Sequence, residues 1–480
     1  MKEGEERRWL WLLAGMFIFL AACVVMSPGF WGGGDSIAHY RIARYAFRHP
    51  YLFLDHWGKP FFTLLAAPFA QLGFNGLRLY NVMAGLLAAW YTFRAAHTLG
   101  YRHRWLALFF VVTAPVYFIL FFSALTEVTF SLVLIVAVWW ALRERYDAAA
   151  VVLSFLPFVR TEGIVIVMVM AAGMIWFGRY RSLPWLLTGF ALFSLAGWPQ
   201  YHDPLWVIHE MPYRGAADIY GHGSLLHFVK HAPRMFGPLL LVFWLLGLVS
   251  LGVEWRRGDE RRRVWQELWF VVLPFLAYFS AHSYVWWRGL GGSLGLLRVM
   301  AGVVPLMAVT AVGGVDRVMG WIPQNRILRR TVPLLVAVGL LYTPLARYTL
   351  PLKEDATQRL LSASAEWLKH SPYYGRPLYY YDLYFQFRLG GDPYDPALCH
   401  EKVPDPQHPS KDLPPGSVIQ WDAHYGPNEG HLPLQRLRDD PHLKAVKVFR
   451  PDPPFKVLGG HDYAIWIFVK ETGDTLYEAQ

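Results

Sequence analysis

The sequence predicts a polytopic α-helical membrane protein that ends in a small α/β domain. Of its 480 residues, 55% are hydrophobic and only 17% are charged, whereas soluble domains carry about 25% charged residues. Apolar runs of about 20 residues recur through the first three quarters of the chain, and each could cross a hydrocarbon core of about 30 Å. The polar stretch after residue 350 breaks this pattern and is therefore expected to form a separate domain.

The apolar runs predict eleven transmembrane spans. They cover 9–28, 76–97, 105–122, 126–142, 147–159, 163–177, 183–199, 236–253, 264–285, 294–314 and 331–349. The stretch 147–177 is short for two crossings, since each crossing usually needs about 20 residues. Two short helices that meet inside the protein and line a cavity would account for this stretch.

Basic residues predict the orientation. With the N-terminus inside, the short Arg-rich segments all fall on the cytoplasmic side, where such loops concentrate. These segments are RRW near the start, 100–104, 143–147, 177–181, 254–263 and 316–330. We therefore expect a multi-pass inner (plasma) membrane protein. Its transmembrane module would be 1–350 with a first outer loop at 29–75, and its extracytoplasmic C-terminal domain would be 351–480.

Two outer segments show local patterns of their own. Segment 59–75 is apolar but short and holds two prolines, which favours an interfacial helix. In the tail, a helix-like stretch at 355–370 is surrounded by strand-like stretches at 376–385, 416–425 and 461–470. This alternation predicts the small α/β domain.

Charge and cysteine content exclude several classes of protein. The net charge of +10 does not indicate nucleic-acid binding, because the arginines cluster in short segments between apolar runs. Cys23 and Cys399 are far apart in sequence, so the chain predicts neither a disulfide framework nor a zinc site. The first apolar run lacks a small-residue cleavage site and is expected to remain as a helix.

A carboxylate follows the first span in the stretch FWGGGDSIAHYR. Asp35 opens a segment with helical spacing, which is typical of an N-cap. Alternatively, it could act as a general base on a hydroxyl or hold a divalent cation. The glycines before it would let another molecule approach closely. His39, later in the same stretch, is a further candidate for substrate binding.

Other charged residues flank the predicted spans on the outer side. In DHWGKP, Lys59 could snorkel at the headgroup level or hold a phosphate as a point charge. His56 could donate to the same phosphate or to a sugar hydroxyl. Arg160 and Glu162, in FVRTEGI, lie between two short apolar runs, where ionisable residues face a cavity or pair with each other. This pattern suits a substrate that has a phosphate and a leaving group.

Two more charged residues lie at predicted outer helix starts. Glu127, in SALTEVTF, would be stabilised by the helix dipole. Arg298, in LLRVMAGVVP, could reach an anionic group or snorkel to the surface.

In combination, these motifs resemble the GT-C superfamily of integral-membrane glycosyltransferases over approximately residues 1–350. The likeness is to the bacterial lipid A aminoarabinose transferases and protein O-mannosyltransferases. LTEVTF resembles the acidic motif of the second outer loop, and RTEG the Arg-x-Glu-Gly turn of the mannosyltransferases. Two positions depart from the pattern: Ser36 stands where many members have a second acidic residue, and Phe61 stands where a second proline is usual.

The resemblance implies an activity. A sugar, mannose-like or another hexose, would move from a polyprenyl-phosphate-linked donor to a hydroxyl of a glycan, lipid or protein acceptor on the extracytoplasmic face. Asp35 would be the catalytic base and Glu127 the second acidic residue. Lys59 would contact the lipid phosphate, with Arg160 or Arg298 stabilising its departure. Whether Asp35 and Glu127 also hold a divalent cation, Mg or Mn, stays open.

Two other functions are weighed against this one. A transporter or flippase for lipid-linked saccharides predicts charges along the spans and an internal repeat of two halves. The sequence shows no such repeat, and the candidate charges lie towards one face. A lipid-handling scaffold that binds through its outer tail would leave Asp35 dispensable.

Overall fold

The computed structural model describes residues 3–211, 220–258, 260–291 and 293–471. The chain divides into two compact units. Unit 1 comprises Met1–Ser27 and Ile42–Leu352, and unit 2 comprises Pro28–Arg41 and Lys353–Gln480. Unit 2 therefore combines the C-terminal region with a segment of the predicted first outer loop.

Unit 1 is helical. Numbered in chain order, the α-helices up to residue 347 are α1 Glu3–Met26, α2 Gly33–Tyr45 (which begins in unit 2), α3 Pro60–Ala70, α4 Phe74–Thr98, α5 Leu106–Thr113, α6 Pro115–Phe118, α7 Glu127–Leu142, α8 Tyr146–Leu153, α9 Gly163–Trp176, α10 Thr188–Tyr201, α11 Trp206–His209, α12 His227–Phe236, α13 Pro238–Arg257, α14 Arg261–Glu267, α15 Leu273–Arg288, α16 Val304–Trp321 and α17 Arg326–Arg347. A π-helical segment, Leu268–Val272, joins α14 to α15. Short 3-10 segments occupy Pro50–Leu54, Ile119–Phe122, Leu156–Phe158, Tyr180–Leu187 and Leu297–Val303.

Every predicted span overlaps a helical segment of the structure. By length and composition, five described segments could cross a membrane: Glu6–Met26, Pro238–Arg257, Arg261–Arg288, Leu297–Trp321 and Arg326–Arg347. Four apolar helices are shorter: Pro60–Ala70, Glu127–Leu142, Tyr146–Phe158 and Gly163–Trp176. The stretch 147–177 thus forms two short helices, as its length suggested.

One predicted span is interrupted. The stretch 105–122 was expected to be continuous, but α5 ends at Thr113 and α6 begins at Pro115. Proline lacks the backbone N–H that would continue the helical hydrogen bonds, and its ring clashes with the preceding turn. The break therefore follows from a single residue.

Helices α13 and α16 pack against each other through glycine. A Cβ added at Gly314 of α16 would overlap the backbone carbonyl of Phe243, and a Cβ at Gly247 of α13 would overlap that of Thr310. Small residues let membrane helices approach closely, and this close packing drives their association.

Unit 2 contains a five-stranded sheet with the order β2-β1-β3-β5-β4. Strand β1 is parallel to β2 and β3, while β5 is antiparallel to β3 and β4. The strands are β1 Leu378–Tyr380, β2 Cys399–Glu401, β3 Val418–Asp422, β4 Leu443–Phe449 and β5 Ile465–Lys470, and the helices are α18 Ala356–Lys369, α19 Leu383–Leu389 and α20 Leu434–Asp439. The predicted small α/β domain is confirmed.

The predicted elements of the tail match in part. The helix-like stretch forms α18, and each strand-like stretch contains one strand. The stretch 376–385, however, leaves the sheet early, because the Asp382 carboxylate caps α19 by accepting a hydrogen bond of 2.7 Å from the Tyr384 N–H. Strands β2 and β4 were not predicted.

Aromatic and charged contacts join the segment Pro28–Arg41 to the rest of unit 2. The Phe30 ring lies 5.0 Å from that of Tyr384, and the Tyr40 ring lies 5.6 Å from that of Phe387, centroid to centroid. Arg41 forms an ion pair with Glu401 and donates a 3.1 Å hydrogen bond to the Tyr380 hydroxyl. The start of α2 is thereby held on the C-terminal domain.

The glycine contact between α13 and α16 is testable. Gly314→Ala should lower the Tm of the purified protein in detergent, because overpacking of this kind costs about 1–3 kcal/mol. Gly320→Ala is the matched control on the same helix, where an added Cβ meets nothing within 4 Å. Equal Tm values for the two variants would show that the close approach contributes no stability.

Candidate functional site

Four of the predicted site residues meet in unit 1. Arg160 Nη1 lies 2.8 Å from Glu127 Oε1, and Arg160 Nε lies 2.6 Å from Glu162 Oε1. Arg298 Nε lies 3.2 Å from the same Glu127 oxygen. The Arg160–Glu162 pair predicted from the sequence is therefore present, and it extends through Glu127 to Arg298. We call these four residues the charged cluster.

Glu127 is the first residue of α7 and is fully buried. The loop before it is fixed by Asn81 of α4, whose amide donates to the carbonyls of Ser123 at 2.8 Å and Leu125 at 3.2 Å. A buried carboxylate requires positive partners. Arg160 and Arg298 meet this requirement.

The break between two short helices provides Arg160 and Glu162. The 3-10 segment Leu156–Phe158 ends before Arg160, and Glu162 directly precedes α9. Arg160 also donates a 3.2 Å hydrogen bond to the Thr126 hydroxyl. A continuous span would have aligned these side chains along one helix, whereas the break brings them to the start of α7.

Two neighbours of the charged cluster were not predicted. Tyr278 and His282 lie four residues apart on α15, with the Tyr278 hydroxyl 3.4 Å and His282 Nε2 3.8 Å from Glu162 Oε1. The Tyr278 hydroxyl is also 3.3 Å from the Val299 carbonyl. The signal in the sequence was a histidine inside an apolar span, because ionisable residues at that depth usually serve a function.

Lys59 lies beside the charged cluster. It precedes α3, has a left-handed backbone with φ of 65°, and is 5% exposed. Its Nζ donates a 3.2 Å hydrogen bond to the hydroxyl of Thr161, the residue between Arg160 and Glu162. Burial lowers the pKa of Lys59 to about 8. A bulky residue in this backbone region is strained, and such strain concentrates at functional sites.

The charge of this region favours an anion. Lys59 and the charged cluster together carry three positive and two negative charges, an excess of one positive charge, and the Asp55 carboxylate acts on Lys59 from outside this group. Charges act strongly on each other where water is largely excluded. The arrangement is suited to an anionic group such as a phosphate.

The two predicted histidines have different surroundings. The charge of Lys59 acts on His56. His56 Nε2 is 2.9 Å from the Val207 carbonyl, and its ring packs edge-on to that of Trp206. His39 is buried on α2 within unit 2.

Asp35 belongs to unit 2 and lies half-buried in the first turn of α2. It is the third helical residue, so it benefits from the helix dipole but is not the N-cap that its spacing suggested. A Cβ added at the adjacent Gly34 would lie 2.6 Å from the Tyr425 hydroxyl. The carboxylates of Asp35 and Asp382 add to the effect of burial in raising the pKa of Tyr425. Asp35 thus lies near this tyrosine.

In the part of the chain that the structure describes, no group of three or more His, Cys, Asp or Glu side chains could hold a metal ion. Neither Asp35 nor Glu127, the predicted ligands, belongs to such a group. A role for a divalent cation stays a prediction.

Comparison with solved structures identifies the fold. The crystal structure of ArnT from Cupriavidus metallidurans, bound to undecaprenyl phosphate, matches with a TM-score of 0.62 and 13% sequence identity. The match covers 96% of this chain and 98% of that one. No family model and no curated protein sequence matches the chain. The predicted GT-C-type fold of a multi-pass membrane protein is confirmed, and at this identity the likeness concerns the fold alone.

The pairing of Glu127 can be tested by stability. Glu127→Ala leaves Arg160 and Arg298 without their shared carboxylate, and breaking a buried pair costs about 3–5 kcal/mol. Glu144→Ala is the control, because Glu144 is 38% exposed in its pair with Arg179 and such surface pairs contribute about 0–1 kcal/mol. Thermal unfolding in detergent should show a much larger fall in Tm for Glu127→Ala. Similar falls would mean that the buried pair contributes little.

Proposed function

We propose that this protein is a glycosyltransferase that moves a sugar, mannose-like or another hexose, from a polyprenyl-phosphate-linked donor to an acceptor hydroxyl. The observation that carries the proposal is the set of three cations, Lys59, Arg160 and Arg298, collected at a break between helices of unit 1. The fold gives independent support, since ArnT, which shares it, was crystallised with undecaprenyl phosphate.

In this proposal, the cations act on the departing phosphate. When the bond between the anomeric carbon and the phosphate oxygen breaks, negative charge develops on the lipid phosphate. Preorganised positive groups in a water-poor site stabilise such charge without having to reorient. Lys59 contributes a point charge, and its hydrogen bond to Thr161 holds the ammonium group beside the residue that follows Arg160. Glu127 and Glu162 hold the guanidinium groups in place.

Asp35 is the proposed general base. It takes the proton from the acceptor hydroxyl while that oxygen attacks the anomeric carbon, and the lipid phosphate leaves with the bonding electrons. Asp35 is half-buried in the first turn of α2 and keeps part of its surface open to an acceptor. Glu127 is the second acidic residue of the site. His39 and His56 are proposed to contact sugar hydroxyls.

We place the reaction on the extracytoplasmic side of the inner membrane. The support is the predicted topology, in which the short Arg-rich segments fall on the side opposite the long loops, and such segments usually stay in the cytoplasm. A lipid-linked donor suits this location, because nucleotide sugars are absent outside the cell.

Asp35→Asn and Lys59→Ala should separate catalysis from donor binding. Asp35→Asn should remain folded, bind undecaprenyl phosphate as the wild type does, and lose about 10²–10⁴-fold in transfer rate with the general base. Lys59→Ala should weaken binding of undecaprenyl phosphate about tenfold or more, as expected for loss of a charged hydrogen bond. Native mass spectrometry measures the binding of undecaprenyl phosphate. The transfer rate is measured with radiolabelled sugar on purified polyprenyl-phosphate donors.

Lys59→Arg is the matched control and should retain part of the affinity, because the charge survives while the geometry changes. A folded Asp35→Asn protein with wild-type turnover would refute the assignment of the base. Unchanged lipid affinity in Lys59→Ala would make that lysine a residue of the membrane surface only.

The orientation is tested by labelling with a membrane-impermeant maleimide in a background without Cys23 and Cys399. Lys456→Cys, whose native side chain is 69% exposed in unit 2, should be labelled in intact cells. Arg262→Cys, whose native side chain is 60% exposed in a basic segment, should be labelled only after permeabilisation. The reverse pattern would move the proposed reaction to the cytoplasmic side.

A further inference from the structure

Unit 2 contains a cavity of 210 Å³ beside the start of α2. Its lining includes Gly33 and Gly34, the two residues before Asp35, and Asp382, which follows strand β1. Strand β3, the parallel neighbour of β1, ends in Asp422. The cavity therefore lies near the carboxyl ends of adjacent parallel strands, where α/β sheets bind their ligands.

Two polar atoms at this cavity have no hydrogen-bond partner within the described part of the chain. They are the Tyr463 hydroxyl and Gln358 Oε1, whose residues line the cavity and are 2% and 4% exposed. Leaving a buried polar group unpaired costs about 1–3 kcal/mol. The Tyr463 hydroxyl can donate a hydrogen bond and Gln358 Oε1 can accept one, so a ligand with hydroxyl groups would satisfy both atoms.

Both groups are held in place before any ligand arrives. The Gln358 amide nitrogen donates a 2.9 Å hydrogen bond to the Phe30 carbonyl, which leaves its oxygen directed elsewhere. The Tyr463 ring stacks on Phe455 with centroids 5.2 Å apart. A ligand would therefore bind without the cost of ordering these side chains.

The charge of the cavity excludes anions. Asp355 and Asp382 line it, and none of its lining residues in the described chain is Lys or Arg. Burial, together with the charge of the nearby Asp422, raises the pKa of Asp382 to about 8. A protonated Asp382 carboxyl group can donate a hydrogen bond to a neutral ligand, whereas the carboxylate of Asp355 would repel a phosphate.

Size and shape point to a single ring. A water molecule occupies about 30 Å³, so the cavity is several times larger than one water, yet smaller than the ~300–1,000 Å³ of pockets for drug-sized ligands. The rings of Tyr384, Tyr425 and Tyr463 contribute flat apolar walls. An uncharged sugar ring has the required mixture of hydroxyl groups and apolar C–H faces.

We propose that this cavity binds an uncharged, hydroxyl-rich sugar ring and directs it towards Asp35. Gly33, where an added Cβ would meet nothing within 4 Å, leaves open space next to Asp35. Tyr425 lines the cavity and lies near the Asp35 carboxylate. The inference that this ring takes part in transfer rests on the proposed function. The proposal that the cavity binds such a ring is independent of that function.

Binding is tested with methyl α-D-mannopyranoside and mannose 6-phosphate on the full-length protein in detergent, by saturation-transfer NMR. The glycoside should bind and the phosphate should bind at least tenfold more weakly. Tyr463→Phe should weaken glycoside binding about tenfold through the lost hydrogen bond. Thr357→Trp, which fills a half-buried position of the lining, should abolish it. Tyr379→Phe, a buried tyrosine of β1 outside the cavity, should bind as the wild type does.

Undecaprenyl phosphate binding should be unchanged in all three variants. The Tm of Thr357→Trp and Tyr379→Phe should be unchanged, and Tyr463→Phe, which loses an unpaired hydroxyl, should be at least as stable as the wild type. The proposal would be overturned if the wild type did not bind the glycoside, or if Tyr463→Phe and Thr357→Trp both bound it as tightly as the wild type does. This holds even if transfer activity is present. Conversely, loss of the proposed transferase function would leave the binding result intact.

The transfer assay separates the two sources of such a ring. If Tyr463→Phe raises KM for the acceptor alone, the ring is that of the acceptor, and if it raises KM for the donor alone, the ring is the donor sugar. Either result supports the cavity as a sugar site. Unchanged KM values for both donor and acceptor would refute a role of the cavity in transfer.

Discussion

The position of Arg160 between two carboxylates constrains much of unit 1. Its guanidinium group contacts Glu127 and Glu162, and Glu127 in turn contacts Arg298, so α7, α9 and the segment Leu297–Val303 must meet at one point. Charged groups buried away from water require partners at fixed distances, because leaving one unpaired costs several kcal/mol. The interrupted helices that flank Arg160 therefore serve the cluster, since only a break in a span brings these side chains together.

The prediction of the fold succeeded where it rested on the composition of long stretches. It failed where the structure depends on a few residues. Apolar runs and basic loops identified the helical regions, and an amphipathic stretch identified α18. The break before Pro115 was missed because hydropathy averages over the proline. Strand β2 has only three residues. Strand β4 carries two lysines, and its apolar and polar residues do not alternate as they do in a half-buried strand, so it gave no strand signal.

The site was predicted in part for a similar reason. Charged residues next to apolar runs are visible in a sequence, so the partners Arg160 and Glu162 could be named in advance. Tyr278 and His282 come from a helix more than one hundred residues later, and their proximity to Glu162 depends on tertiary packing. The spacing of Asp35 suggested an N-cap, but α2 begins two residues earlier, at Gly33. Glycine adopts positive φ angles as readily as helical ones, so the glycines before Asp35 do not mark the start of the helix in the sequence.

The composition of unit 2 has a consequence for biosynthesis. The segment Pro28–Arg41 leaves the ribosome early, while its packing partners, from Lys353 onwards, emerge more than three hundred residues later. The nascent chain must therefore keep the aromatic side chains of Phe30 and Tyr40 exposed, or shielded by a chaperone or lipid, throughout membrane insertion. Asp35 can attain its final surroundings only after the residues from Lys353 onwards have been synthesised. A chain that stopped before them would have the helices of unit 1 but lack the packing partners of Pro28–Arg41.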